Sequence, residues 1–252
     1  ALASGFRPSA TASRHKVWRR PSCGRGMHCT SLRWTCLVVA TLIGLTTAQA
    51  EPALSFLNTV EIKHDDITPF RKWTGVMERH HVSVSGPSAK CSRDNEDACK
   101  LRRAFDFFDS LAKRNESEQL DSLNRYINQS PYVRDVDDHW ETLEEFILFS
   151  GDCEDYAIAK YFALRRLGWP ADRLRLVVTQ DTVTGGAHAL TVAFIGNEAM
   201  VLDNQIKDVT PASALDRYRP YYSINEEHWW LHSWPTGSPA VAANPRQQTA
   251  AR

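Results

Sequence analysis

GDCEDYAIAKYFALRRLGWP, residues 151–170, reads as one helix with an acidic, polar start and a buried body. From Tyr156 to Leu167 apolar side chains face nearly every direction, the pattern of a central helix rather than a surface one. Gly168 suits the residue after the last turn, and Pro170 cannot continue the helix. The abrupt start Ser150-Gly-Asp-Cys places Cys153 in the first turn. There, unpaired backbone N–H groups and the helix dipole favour a thiolate.

Beyond this helix the apolar period changes from helical to strand-like. Residues 174–179 (LRLVVT), 188–195 (HALTVAFI) and 200–202 (MVL) read as strands. The turn cluster at 181–186 and Gly196-Asn197 separate them, which predicts an antiparallel meander. Before the helix, apolar spacing predicts short helices over 69–79, 96–113, 117–128 and 141–149, with polar loops at 83–95 and 131–140. Residues 51–66 are mixed, with Leu54, Phe56, Leu57 and Val60 as core candidates. Residues 211–222 are expected to wrap back, packed down by Trp229, Trp230, Leu231 and Trp234. The expected class is α+β, with a central helix carrying Cys153 packed on an antiparallel sheet.

That arrangement would bring three chemically complementary residues together. Cys153 opens the helix, His188 opens one strand and Asp203 ends the next. A thiolate can attack a carbonyl, an imidazole can take and return its proton, and a carboxylate can orient the imidazole. The plainer readings stand beside this one: buried thiols are commonly inert, and an Asp at a strand end commonly satisfies a turn. Asp152, Glu154 and Asp155 crowd the same helix start. They could simply complement the dipole. Three carboxylates beside a nucleophilic thiol nevertheless oppose its ionisation. A bound divalent cation would relieve the conflict, and hard oxygen ligands favour calcium over zinc.

Other chemistries find less support. Asp135, Asp137 and Asp138 start like a calcium loop, but Trp140 and Phe146 stand where such a loop needs glycine and glutamate. There is no HExxH or CxxC, and no glycine-rich phosphate loop precedes a helix. His80-His81 reads as a solvated pair, and Arg165-Arg166 as the basic end of a helix rather than a nucleic-acid patch.

The 252 residues hold 30 basic and 30 acidic side chains. That zero joins two unlike segments. Residues 1–50 contain seven Lys and Arg and no acid, which leaves 23 basic against 30 acidic in the remainder, a formal −7. Within the first segment, Met27 and Arg33 precede the apolar run from Cys36 to Leu45 and an Ala48-Gln-Ala50 end, the pattern of a secretory signal peptide over 27–50. Residues 1–26 read as an upstream extension, 51–234 as the folded domain and 235–252 as a disordered tail. Three cysteines then remain. Cys91 and Cys99 bracket a short polar loop and are expected to pair in an oxidising compartment, which leaves Cys153 free.

The block GDCEDYA, with PFRKWTGVMER and DVDDHWETLEEF upstream and AHALTVAF and VLDNQ downstream, closely resembles the bacterial transglutaminase-like cysteine peptidases. Their best-known branch is the LapG-type periplasmic protease. The resemblance spans roughly residues 54–223 and implies a papain-like fold, a triad of Cys153, His188 and Asp203, and calcium held by Asp152, Glu154 and Asp155. It further implies a large surface adhesin as substrate, cut beside paired alanines near its N-terminus, and an inner-membrane cyclic di-GMP receptor as regulator. Nucleic acid is not an implied partner. Asn204-Gln205 departs from the Ser-Leu typical of the family after the aspartate. The same triad could serve amide transfer in a transglutaminase or amidase, and a silent calcium-responsive binding protein is the non-enzymatic alternative.

Overall fold

The computed structural model describes residues 57, 59–85, 90–134 and 136–233. The expected upstream extension, signal peptide and C-terminal tail lie outside the described residues, as do Leu54 and Phe56. The helices are α1 (Arg71–Ser85), α2 (Glu96–Leu111), α3 (Glu116–Ile127), α4 (Leu143–Phe149) and α5 (Cys153–Arg166). The strands are β1 (Val60–His64), β2 (Leu174–Asp181), β3 (Ala187–Ile195), β4 (Glu198–Leu202), β5 (Thr210–Pro211), β6 (Tyr218–Ile224) and β7 (Trp229–Ser233). They form one sheet of order β1-β7-β6-β2-β3-β4-β5, antiparallel at every junction. The architecture is the expected α+β, a helical layer on an antiparallel sheet.

Helix α5 is the centre of the molecule. Every residue from Asp155 to Leu164 is buried, and Gly168 closes the helix at φ 93°. Its apolar side chains join Trp73 of α1, Phe108 of α2, Leu120 and Leu123 of α3 and Phe146 of α4 in one core with the near face of the sheet. A smaller cluster, including Val177, Val192, Phe194 and Tyr218, covers the far face. Thr191 Oγ1 donates to the Ala157 carbonyl at 2.6 Å and pins α5 to β3 one turn below the helix start.

The expected meander is β2-β3-β4, with longer strands than the apolar runs alone suggest. Three features differ from expectation. The segment expected to wrap back contributes β6, which pairs with the free side of β2. Pro220 has no N–H for the ladder, and its pairing with Thr179 falls at a register shift. Strands β1 and β7 form the sheet's edge, where Val60 is exposed rather than in the core. Helix α1 runs on into the expected loop at 83–85, where the Ser83 hydroxyl donates to the Arg79 carbonyl. Cys91 and Cys99 form the expected disulfide. No helix among the described residues is long and apolar enough to cross a membrane.

Candidate active site

A constrained turn delivers Cys153. Helix α4 begins with a capping box between Thr142 and Glu145 and ends at Ser150, which takes the left-handed φ of 64°. Gly151 follows, and only a residue without a side chain fits there. A Cβ on it would lie 2.6 Å from the Asp155 Cβ and 2.7 Å from its Cγ. The buried Asp155 folds back over this glycine. Its Oδ2 accepts from the Asp152 N–H at 3.0 Å and its Oδ1 from the Glu141 N–H at 2.8 Å. The Gly151 carbonyl in turn accepts from the Val133 N–H at 2.9 Å. One carboxylate thus ties the 131–141 segment to the start of α5.

The Ala189 backbone amide of β3 lies near Cys153 Sγ and acts to lower the thiol. The thiol's own hydrogen goes to Glu154 Oε2 at 3.1 Å. Burial first, then Glu154, push the thiol up, and together they outweigh the lowering expected at a helix N-terminus. Burial and a hydrogen bond with Asp152 likewise raise Glu154.

The ligand atoms of Asp152, Cys153 and Glu154 all lie within 4.8 Å of one another. Asp152 Oδ1 is buried without a hydrogen-bond partner. A hard cation suits the two carboxylates of this group rather than the sulfur, since it would meet the orphaned Asp152 oxygen and the crowded Glu154 together. Asp155 faces the other way, its oxygens engaged by backbone amides.

His188 and Asp203 meet as the strand ends bring them together. His188 Nε2 lies 2.8 Å from Asp203 Oδ1, with both residues buried. Burial opposes the Asp203 charge. Hydrogen bonds from His188, the Gln205 N–H and the Tyr218 hydroxyl prevail and hold the carboxyl below its usual range. An ionised Asp203 only accepts, so the His188 ring hydrogen sits on Nε2. The Tyr218 ring also stacks on the imidazole at 5.6 Å between centroids. Asn128 Nδ2 donates to the Asp203 carbonyl at 2.8 Å and fixes the end of β4.

His188 and Asp203 therefore meet at the ends of β3 and β4, and Cys153 opens α5, which packs on β3. Tyr218, Asn128 and Gln205 were missed. They reach the site from β6, α3 and the β4–β5 connection, and no local spacing marks them.

Comparison with known proteins places this chain in a family. Residues 84–232 match the model of the bacterial transglutaminase-like cysteine proteinases. The chain belongs to this family. A search of the curated proteins returns no match. Among solved structures, Legionella pneumophila LapG is 31% identical at a TM-score of 0.51, over 62% of this chain and 87% of that one. The EGTA-treated form of that protein also matches at 31% identity and a TM-score of 0.51, over 62% and 84%. The calcium-bound form matches at 27% identity and the same TM-score, over 70% and 94%. As a member of this proteinase family, the chain is a cysteine peptidase.

Proposed function

We propose that this family member is an exported, calcium-dependent endopeptidase that acts through Cys153, His188 and Asp203. The observation that carries the reading is the 2.8 Å bond from His188 to Asp203, His188 lying on the strand that packs on the helix opened by Cys153. In this mechanism His188 Nδ1 takes the thiol proton, Cys153 Sγ attacks the peptide carbonyl, and the imidazolium returns the proton to the leaving amine. Water, activated by the same imidazole, then releases the acyl group. The Cys153 backbone N–H, free at the helix start, serves as one oxyanion donor. Asp203 keeps the ring in place.

Asp152 and Glu154 form the proposed calcium site, while Asp155, expected beside them, is held instead by the Asp152 and Glu141 backbone amides. Bound there, the ion would neutralise the carboxylates that disfavour the thiolate. Legionella LapG, solved with calcium and after EGTA treatment, supports this assignment by likeness. We assign as substrate a large surface adhesin, cut near its N-terminus at paired alanines, with control of biofilm attachment as the outcome. The regulator is an inner-membrane cyclic di-GMP receptor, and the compartment is the periplasm, reached through the 27–50 signal peptide. The family resemblance supports these three assignments. The test is to incubate the protein with an adhesin N-terminal fragment, with and without an amine acceptor. Cleavage that stops in EGTA and resumes with calcium, without cross-linked product, supports the reading. A cross-linked amide product in place of cleavage overturns it in favour of transfer.

A further inference from the structure

Gln205 has a side-chain orientation fixed by partners that can only donate or only accept. Arg217 Nη2 donates to its Oε1 at 2.9 Å. A guanidinium cannot accept, so the oxygen faces Arg217 and the amide nitrogen faces away. That nitrogen lies 3.3 Å from His188 Nδ1. An amide N–H only donates, so Nδ1 is the acceptor and the ring hydrogen sits on Nε2, facing Asp203. Arg217 is itself held on the buried Asp181, Nε to Oδ1 at 3.2 Å and Nη2 to Oδ2 at 2.6 Å. From Asp181 to Asp203 each hydrogen therefore has one permitted direction.

In the proposed mechanism the nitrogen that Gln205 meets is the one that takes the thiol proton. A neutral imidazole offers a single acceptor lone pair. Here it serves Gln205, while the thiol hydrogen goes to Glu154. We propose that Gln205 is a positioning residue that holds His188 in the base-competent tautomer and occupies its thiol-facing nitrogen until substrate displaces it. This rests on the reading of Cys153 and His188 as nucleophile and base. The exposed position of Gln205 leaves its side chain room to swing out.

The test uses the full chain with 15N-labelled histidine, the His188 signals being assigned by their loss in His188→Gln. In the wild type His188 Nδ1 should carry no hydrogen. In Gln205→Ala that resonance should move to the position of an unbonded ring nitrogen. Iodoacetamide should then label Cys153 faster by about fivefold, the worth of one modest hydrogen bond, and KM should fall with kcat unchanged, because substrate no longer has to displace Gln205. Gln205→Glu puts an acceptor against Nδ1. It should draw a hydrogen onto that nitrogen and lower kcat about 100-fold, the scale of a lost general base. A hydrogen on Nδ1 in the wild type, or an unmoved resonance with unchanged or slower labelling in Gln205→Ala, overturns the proposal. The tautomer is read without turnover. A Cys153→Ala enzyme that still cleaves would overturn the underlying reading and leave the tautomer result standing.

Discussion

The Asp155 carboxylate lies over Gly151 so closely that no side chain fits between them, with a Cβ on the glycine only 2.6 Å from the Asp155 Cβ. The same carboxylate accepts from the Asp152 and Glu141 backbone amides. Gly151→Ala should therefore expel Asp155 and uncouple the 131–141 segment from the start of α5. Strain of this kind costs about 2–3 kcal/mol, and cleavage activity should fall with stability. Thermal unfolding compared with the wild type checks it; an unchanged melting temperature would show that Asp155 is not needed there.

Tyr218 meets His188 and Asp203 by a stacked ring and a donated hydroxyl hydrogen. Tyr218→Phe keeps the ring and removes the donor. It should lower kcat by about tenfold, the worth of one hydrogen bond to a charged group, with KM unchanged. Steady-state kinetics on an adhesin fragment measure it. A rise in KM at constant kcat would place Tyr218 in substrate binding instead.

How much of this site was readable in the chain depends on how far each partner lies in sequence. The closed apolar run 156–167 announced α5, and the turn residues between apolar strands announced β2, β3 and β4. The ends of α5, β3 and β4 carry Cys153, His188 and Asp203, so the contact between His188 and Asp203 was legible. Tyr218, Asn128 and Gln205 were not, because their roles exist only after β6, α3 and the β4–β5 connection have docked. Strands β1 and β7 escaped for a related reason. They pair across 173 residues, as Thr59 Oγ1 and His232 show at 2.8 Å, and Val60 on the edge strand is exposed. The adjacency of Asp155 to the other two acids concealed that its carboxylate points back at the chain.

The β1–β7 edge sets a pH limit on stability. His232 bonds Thr59 and Ser223 through its two ring nitrogens. Burial, then the nearby Arg175, lower it to about 4. Arg175 is paired with the buried Glu61 at 2.8 Å, and Glu61 lies 4.0 Å from the His232 ring. The unfolded histidine binds its proton near pH 6.5, so the unfolded state gains protons first as pH falls. Stability from this group is complete above about 6.5 and is lost down to about 4, amounting to about 3 kcal/mol. Chemical unfolding at stepped pH should show that slope, and His232→Gln should flatten it. An equal slope in the variant would place the titration elsewhere.

Calcium should stabilise the fold through Asp152, whose Oδ1 is buried without a partner. At 100 times its dissociation constant, a ligand that binds only the native state adds about 2.7 kcal/mol. The melting temperature should rise with calcium, fall back in EGTA and stay insensitive to calcium in Asp152→Ala. A calcium shift that survives this substitution would move the ion to other ligands.

The most direct measurement is mass spectrometry of an adhesin N-terminal fragment after incubation with calcium-loaded wild type and with Cys153→Ala. In the proposed mechanism Cys153 supplies the attacking sulfur, so the wild type should cut at one paired-alanine site and the variant should leave the fragment intact. The same cut made by Cys153→Ala would contradict the account.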